Sequence, residues 1–275
     1  MLNLLKNINR SIRKYNLLTA TIILLLVILG MNTLSQDIQP SINRIIEIPN
    51  IVLWAWERPE DLEFINPDEI GVAFLARTIY LRGDRVIIRP RLQPLTVPDG
   101  TKLIAVVRIE SDLSVPPFLS SEQKTKIVSE IISLIHISNV FTIQIDFDAK
   151  VSERDFYRKI ITDLRNSLPD SVGLSITALA SWCIYDTWIS DLPIDEAVPM
   201  LFRMGADRKQ IIMYLESGGD FRPSVCKHSL GISTNEPISK LPSDRRIYIF
   251  NPRSWSKTAF DKIISEVKNE NIYLR

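Results

Sequence analysis

The chain has 275 residues, 24% of them charged, with 33 basic against 32 acidic side chains and a formal charge of +1. Neither a nucleic-acid partner nor intrinsic disorder is indicated by that balance. The length can bury one sizeable core, and barrels of this size commonly run as a single domain.

The charge is unevenly placed. Lys6, Arg10, Arg13 and Lys14 all precede the first acidic residue, Asp37, and Leu17 to Met31 is apolar but for Thr19 and Thr21. At about 1.5 Å per residue this run covers roughly 22 Å, and stretched from Tyr15 to Leu34 it covers roughly 30 Å, so only the longer version spans a bilayer. A basic head before an apolar run directs the segment to a membrane, with the N-terminus inside and the body outside the cytoplasm. Thr33-Leu34-Ser35 is a poor cleavage site, so an uncleaved anchor is favoured over a cleaved signal peptide and both stay open. Residues 1–34 are therefore expected as leader and membrane segment, 35–50 as a polar tether, and 51–275 as a globular body. That body would be anchored to the inner membrane or secreted to the periplasm.

From Ile51 onward eight short apolar runs follow, most of them succeeded by a helix-like stretch. They are Ile51 to Trp56, Gly71 to Ala76, Leu103 to Ile109, Thr142 to Phe147, Gly173 to Ala178, Ala197 to Phe202, Leu230 to Thr234 and Arg246 to Phe250. Ser120 or Ser121 opens a helix through Ile127, Ile131 and Ile135, and Ser152 opens another ending before Pro169. Asp207 is expected to cap Arg208 to Ser217, and Trp255 to Val267 reads as the last helix. Arg58-Pro59-Glu60-Asp61 also resembles a helix start, as Pro and acids suit a first turn. Strand then helix, repeated eight times, predicts the α/β class and a (β/α)8 TIM-type barrel. After the second strand, Arg77 to Leu81 and Arg85 to Arg89 flank Arg82-Gly83-Asp84, which predicts an inserted β-hairpin in place of a helix. Five arginines make this hairpin basic. It reads either as a solvated face or as a cover over the barrel mouth that meets anions.

Phosphate-cradling, nucleophile-elbow and dinucleotide motifs are lacking, and with only His136 and His228 a histidine metal site or triad has little material. No metal or other cofactor is called for. What remains is carboxylate chemistry. In Thr142 to Asp148 the side chains alternate, so Ile143, Ile145 and Phe147 share one face and Gln144, Asp146 and Asp148 the other. Active sites of such barrels lie at the C-terminal strand ends. The residues expected there are Glu57, Arg108 and Glu110, Asp146 and Asp148, Ser175, Thr177 and Ser181, Arg203, Glu236, and the tryptophans Trp54, Trp56, Trp182 and Trp255. Parity sets Glu57 against Trp54 and Trp56, because an inward Glu57 sends both tryptophans toward the helices. Carboxylates beside tryptophans describe a sugar-cleaving cleft, in which one acid and one base or nucleophile break the bond and aromatic faces stack on the rings. Two carboxylates roughly 6 Å apart repel by about 2.8 kcal/mol at an effective dielectric near 20, which raises the second pKa by about two units. Arg108, if close, would oppose this.

Cys183 and Cys226 are the only cysteines. An oxidising compartment favours pairing them, whereas barrel topology sets them at opposite ends unless the loop from Gly218 to Ser229 climbs.

Four stretches, Trp54 to Leu62, Gln144 to Ala149 with Ser152 to Arg154, Ser175 to Cys183, and Glu196 to Gly205, together resemble an uncharacterised bacterial domain family grouped with the TIM-barrel glycoside hydrolases. The resemblance covers about Ile51 to Trp255. It implies the barrel fold and a hydrolase ancestry, and assigns no substrate or catalytic residue. Asp146-x-Asp148 is also similar to the acidic motif of chitinase-like barrels, except that Lys150 stands where their glutamate is expected. The expectation is a glycoside hydrolase acting on an envelope or extracellular polysaccharide. Asp148 and Asp146 come first as acid and base or nucleophile, then Glu110 and Glu57. Arg108, Trp56, Trp182, Arg203, Ser181 and Glu236 are expected to contact sugar. The alternative is a non-catalytic barrel that binds glycan or an envelope partner; oligomeric state is not readable.

Overall fold

The computed structural model describes residues 44–236 and 242–269, so the expected leader and membrane segment lie outside the described residues. No described helix is long and apolar enough to cross a membrane.

Eleven strands are described. They are β1 (Ile51–Ala55), β2 (Glu60–Asp61), β3 (Ile70–Arg82), β4 (Arg85–Pro90), β5 (Leu95–Thr96), β6 (Leu103–Ser111), β7 (Val140–Asp146), β8 (Gly173–Leu179), β9 (Glu196–Met200), β10 (Ser229–Ser233) and β11 (Arg246–Phe250). Four α-helices accompany them, α1 (Ser121–Ile132), α2 (Arg154–Ser167), α3 (Arg208–Glu216) and α4 (Lys257–Asn269). Eight strands pair in parallel in the order β1, β3, β6, β7, β8, β9, β10, β11, and β11 pairs back onto β1. The result is a closed α/β barrel. All eight predicted strands are present, the seventh included.

Alternation along the strands sorts the core into two layers. Leu53, Ala55, Ile143, Ile145, Ile247 and Ile249 face outward and pack with Ile127, Ile131, Ile160 and Leu164 of the helices. Val52, Trp54, Ala73, Val106, Val198, Tyr248 and Phe250 fill the barrel interior. Helix α1 starts at a full capping box. The Ser120 side chain accepts from the Gln123 backbone N–H at 3.3 Å and the Gln123 side chain accepts from the Ser120 N–H at 3.1 Å.

Several expectations are corrected. Ile45 and Ile48, expected in the polar tether, are buried in the interior layer and stopper the N-terminal end of the barrel. Arg58 to Asp61 starts no helix. Glu60 and Asp61 form β2 beside β5, and Glu60 is buried, accepting from Arg58 Nε at 2.7 Å and from the Trp255 N–H at 2.8 Å. Asp207 precedes α3 without a side-chain capping bond. After β8 the chain makes only a short π-helical turn, Trp182–Asp186. The predicted hairpin is present, with β4 antiparallel to β3 from the Arg82–Arg85 pair to the Arg77–Pro90 pair.

Cys183 and Cys226 form a disulfide, with Cα atoms 6.1 Å apart. The loop does climb, since the Arg222 N–H donates to the Cys183 carbonyl at 2.9 Å and both cysteines are buried in the helix-side layer.

Candidate active site

Register across β6 and β7 sets the geometry, because Arg108 and Asp146 are direct partners. Asp146 ends β7 on its inward face and is 5% exposed. Its Oδ1 accepts from the Thr177 hydroxyl at 2.8 Å and its Oδ2 from Arg108 Nη1 at 3.1 Å. The same guanidinium donates through Nε to Glu110 Oε1 at 2.5 Å. Asp148, two residues on, is exposed and joins no hydrogen bond or ion pair with a described residue. Arg108 thus pairs with Glu110 and Asp146, and Asp148 acts on it only through its charge.

Burial and these neighbouring charges act on the protons. Burial pushes the Asp146 carboxyl above the ordinary aspartate range, against the pull of Arg108 and the Thr177 hydrogen bond. Asp148 is raised too, first by desolvation and then by the negative charge of Asp146, with Arg108 opposing. Arg108 is held above its usual range, since Asp146, Glu110 and Asp148 together outweigh the desolvation that would lower it. A carboxyl whose pKa is raised by its surroundings is the kind of group that general acid catalysis draws on.

The other expected site residues separate. Trp54 and Trp56 point inward. Trp54 stacks on Phe250 at 4.3 Å, Trp56 lies 5.5 Å from Trp54, and Phe202 closes the cluster 4.5 Å from Phe250. Parity accordingly turns Glu57 away from the interior. It is exposed and accepts from the Leu92 N–H at 3.4 Å. Trp182 is buried in the helix-side layer against Trp188, 5.1 Å away, so it does not stand at the mouth. Trp255 donates to the Trp54 carbonyl at 3.0 Å and is also core. Ser181 leads into the π-helical turn rather than continuing the alternation of Ser175 and Thr177. Glu236 is engaged by Arg208 at 3.2 Å and by the Arg203 backbone N–H, which leaves the Arg203 side chain exposed on a left-handed residue with φ 51°. Beside Trp56, Phe202, Arg203 and Asn251 lies a recess of about 20 Å³, room for about one water.

One tier was missed. Inside the barrel Glu196, fully buried, accepts from Arg246 Nη1 at 2.7 Å and from the Tyr248 hydroxyl at 2.7 Å. Arg246 also donates to the carbonyls of Ile45, Ile48 and Pro49. Burial, then the neighbouring Glu196, pushes the Tyr248 phenol well above its ordinary value, so it remains a donor. Gln144 donates to Ser175 Oγ at 2.9 Å, while its Oε1 and the indole N–H of Trp54 have no partner among the described residues. The alternation of Arg246-x-Tyr248 in a strand was the available signal, but Glu196 stands far away in the chain.

Fold and carboxylate cluster together define a class, a closed α/β barrel with an acidic C-terminal mouth. Comparison with protein-family models, with curated proteins and with solved structures found no match to this chain.

Proposed function

We propose that the protein is a glycoside hydrolase working at this mouth, with Asp148 as general acid, Glu110 as the second carboxylate, and Asp146 as the residue that orients Arg108. One observation carries the reading: Arg108 is ion-paired with Glu110 and Asp146, while Asp148 beside them, without an ion pair among the described residues, has its carboxyl raised above the ordinary aspartate range by desolvation and by Asp146. The resemblance to the hydrolase-grouped domain family points the same way. An envelope location, with a membrane-anchored or periplasmic body, is supported by the basic, apolar leader and by the Cys183–Cys226 bridge, as disulfides persist in oxidising compartments.

The test is turnover of a glycan panel by Asp148→Asn and Glu110→Gln. Loss of roughly 10²- to 10⁴-fold in turnover by Asp148→Asn, with glycan still retained, is the expected result. Cleavage at the unaltered rate would remove Asp148 from the mechanism. A second reading, a non-catalytic glycan-binding barrel, is favoured by the way Trp54, Trp56, Phe202 and Phe250 fill the mouth beside the small recess. It predicts retention without turnover in the unaltered protein.

A further inference from the structure

Strand β3 runs on to Arg82, β4 returns antiparallel on one side of it, and β6 accompanies it to Ser111 on the other, whereas the ladder of β6 with β7 stops at Arg108 and Asp146. The three strands therefore rise above the carboxylates as a wall. Ile79, Leu81, Val86 and Ile109 lie in the helix-side core and Ile88 packs on it, so the alternate residues occupy the opposite face. Register makes that face explicit: Tyr80 partners Glu110, and Thr78 partners both Arg108 and Arg89. Tyr80, Arg85 and Arg89 thus continue the surface that Arg108 and Glu110 begin.

The arginines of this region differ in what holds them. Arg77 is paired with Glu130, Arg82 with Asp112, and Arg108 with two carboxylates, while Arg91 donates to the carbonyls of Trp56 and Arg58. Arg85 and Arg89 are exposed and have no ion pair among the described residues. Arg89 instead lies over the Tyr80 ring, 4.9 Å from its centroid. Stacking holds the planar fork in place while leaving its N–H donors open to solvent, a form suited to two-pronged recognition of an oxyanion.

We propose that this arginine wall selects glycans carrying oxyanion substituents, carboxylate or phosphate, so that the preferred substrate is an acidic polysaccharide. The inference rests on the hydrolase reading and names its substrate class. Anionic groups meet Arg85 and Arg89 on the wall, away from the acidic floor that would repel them, and the glycosidic oxygen is left to Asp148. Arg108, ion-paired with Glu110 and Asp146, is not the group that holds the anion.

The test uses the Asp148→Asn protein for binding and the unaltered protein for turnover. The probes are an oligogalacturonate, a phosphate-substituted oligosaccharide and a neutral cello-oligosaccharide of equal length, with phosphatidylglycerol vesicles as a fourth. An acidic oligosaccharide should bind about tenfold or more tightly than the neutral one at low salt, and the preference should shrink as salt rises. Arg85→Gln with Arg89→Gln should erase it, a loss of about 10- to 100-fold at an unchanged melting temperature. Arg89→Lys, which keeps the charge and loses the fork, should fall between. The uronate and phosphate arms decide which oxyanion is meant. A preference that survives the double substitution, or tighter binding of the neutral chain, overturns the proposal while cleavage of neutral chains leaves the hydrolase reading standing. Binding to vesicles alone, abolished by the same substitutions, would make the wall a lipid-headgroup surface instead. If every glycan is ignored, both readings fall.

Discussion

Asp148 stands at the rim without a donor among the described residues, and its raised pKa has a consequence for stability as well as for chemistry. The unfolded chain releases this proton near the ordinary aspartate value of 3.8, and the folded chain only at higher pH. Ionising the group therefore costs folded-state stability, beginning near that value and complete above the folded pKa. Asp148→Asn should accordingly melt at a higher temperature than the unaltered protein at pH 7, with the gap closing as pH is lowered toward 4. Thermal melts across that range check it; a gap that widens on acidification contradicts the assigned sign. Asp146 is less clean, since its replacement also removes bonds to Arg108 and Thr177. The alternation of Gln144, Asp146 and Asp148 placed both aspartates on one face from sequence alone. Which of them Arg108 holds was not legible, because that depends on cross-strand register rather than on spacing along either strand.

Among the elements, the segment between β8 and β9 depends on its tie to the loop before β10. The bridged cysteines are separated by 43 residues, and closing a loop of that length restricts the unfolded chain by about 4 kcal/mol on the chain-entropy account. Cys183→Ala with Cys226→Ala should lower the urea midpoint by an equivalent of about 2–4 kcal/mol, measured beside the reduced unaltered protein. The interior tier gives a different expectation. Arg246→Ala strands a fully buried Glu196 carboxylate, which costs about 3–5 kcal/mol, whereas Arg246→Met combined with Glu196→Gln should recover most of the loss. Denaturant unfolding of the three proteins separates these outcomes. Neither tie could be read from the chain: a disulfide needs its two Cα atoms close, and the cysteines lie in segments that meet only because a loop climbs the outside of the barrel.

For the whole molecule, closure is the decisive property. A ring of eight parallel strands leaves no edge except that of the hairpin, and it has two ends that must be filled. At the N-terminal end Ile45 and Ile48 enter the interior layer, and Arg246 binds the carbonyls of their segment. Ile45 packs so closely that a Cβ on Gly173 would lie 2.6 Å from its Cγ2. A chain shortened to begin at Ile51 should therefore lose several kcal/mol against one that begins at Arg44, since burying each isoleucine contributes about 1.5–3 kcal/mol. Paired melting temperatures check this, and equal values would show that the stopper adds nothing.

Hydrophobic periodicity, turn chemistry and capping residues are local properties, so the strands, the hairpin and the opening of α1 at Ser120 or Ser121 were present in the sequence itself. The inward direction of the two tryptophans, the helix-side burial of Trp182, the sharing of Arg108 between Glu110 and Asp146 and the shared face of Arg89 and Glu110 were not. Each depends on how separate strands are staggered around a closed ring. That stagger is set by packing and hydrogen bonding between segments distant in the chain, so only the tertiary structure decides it.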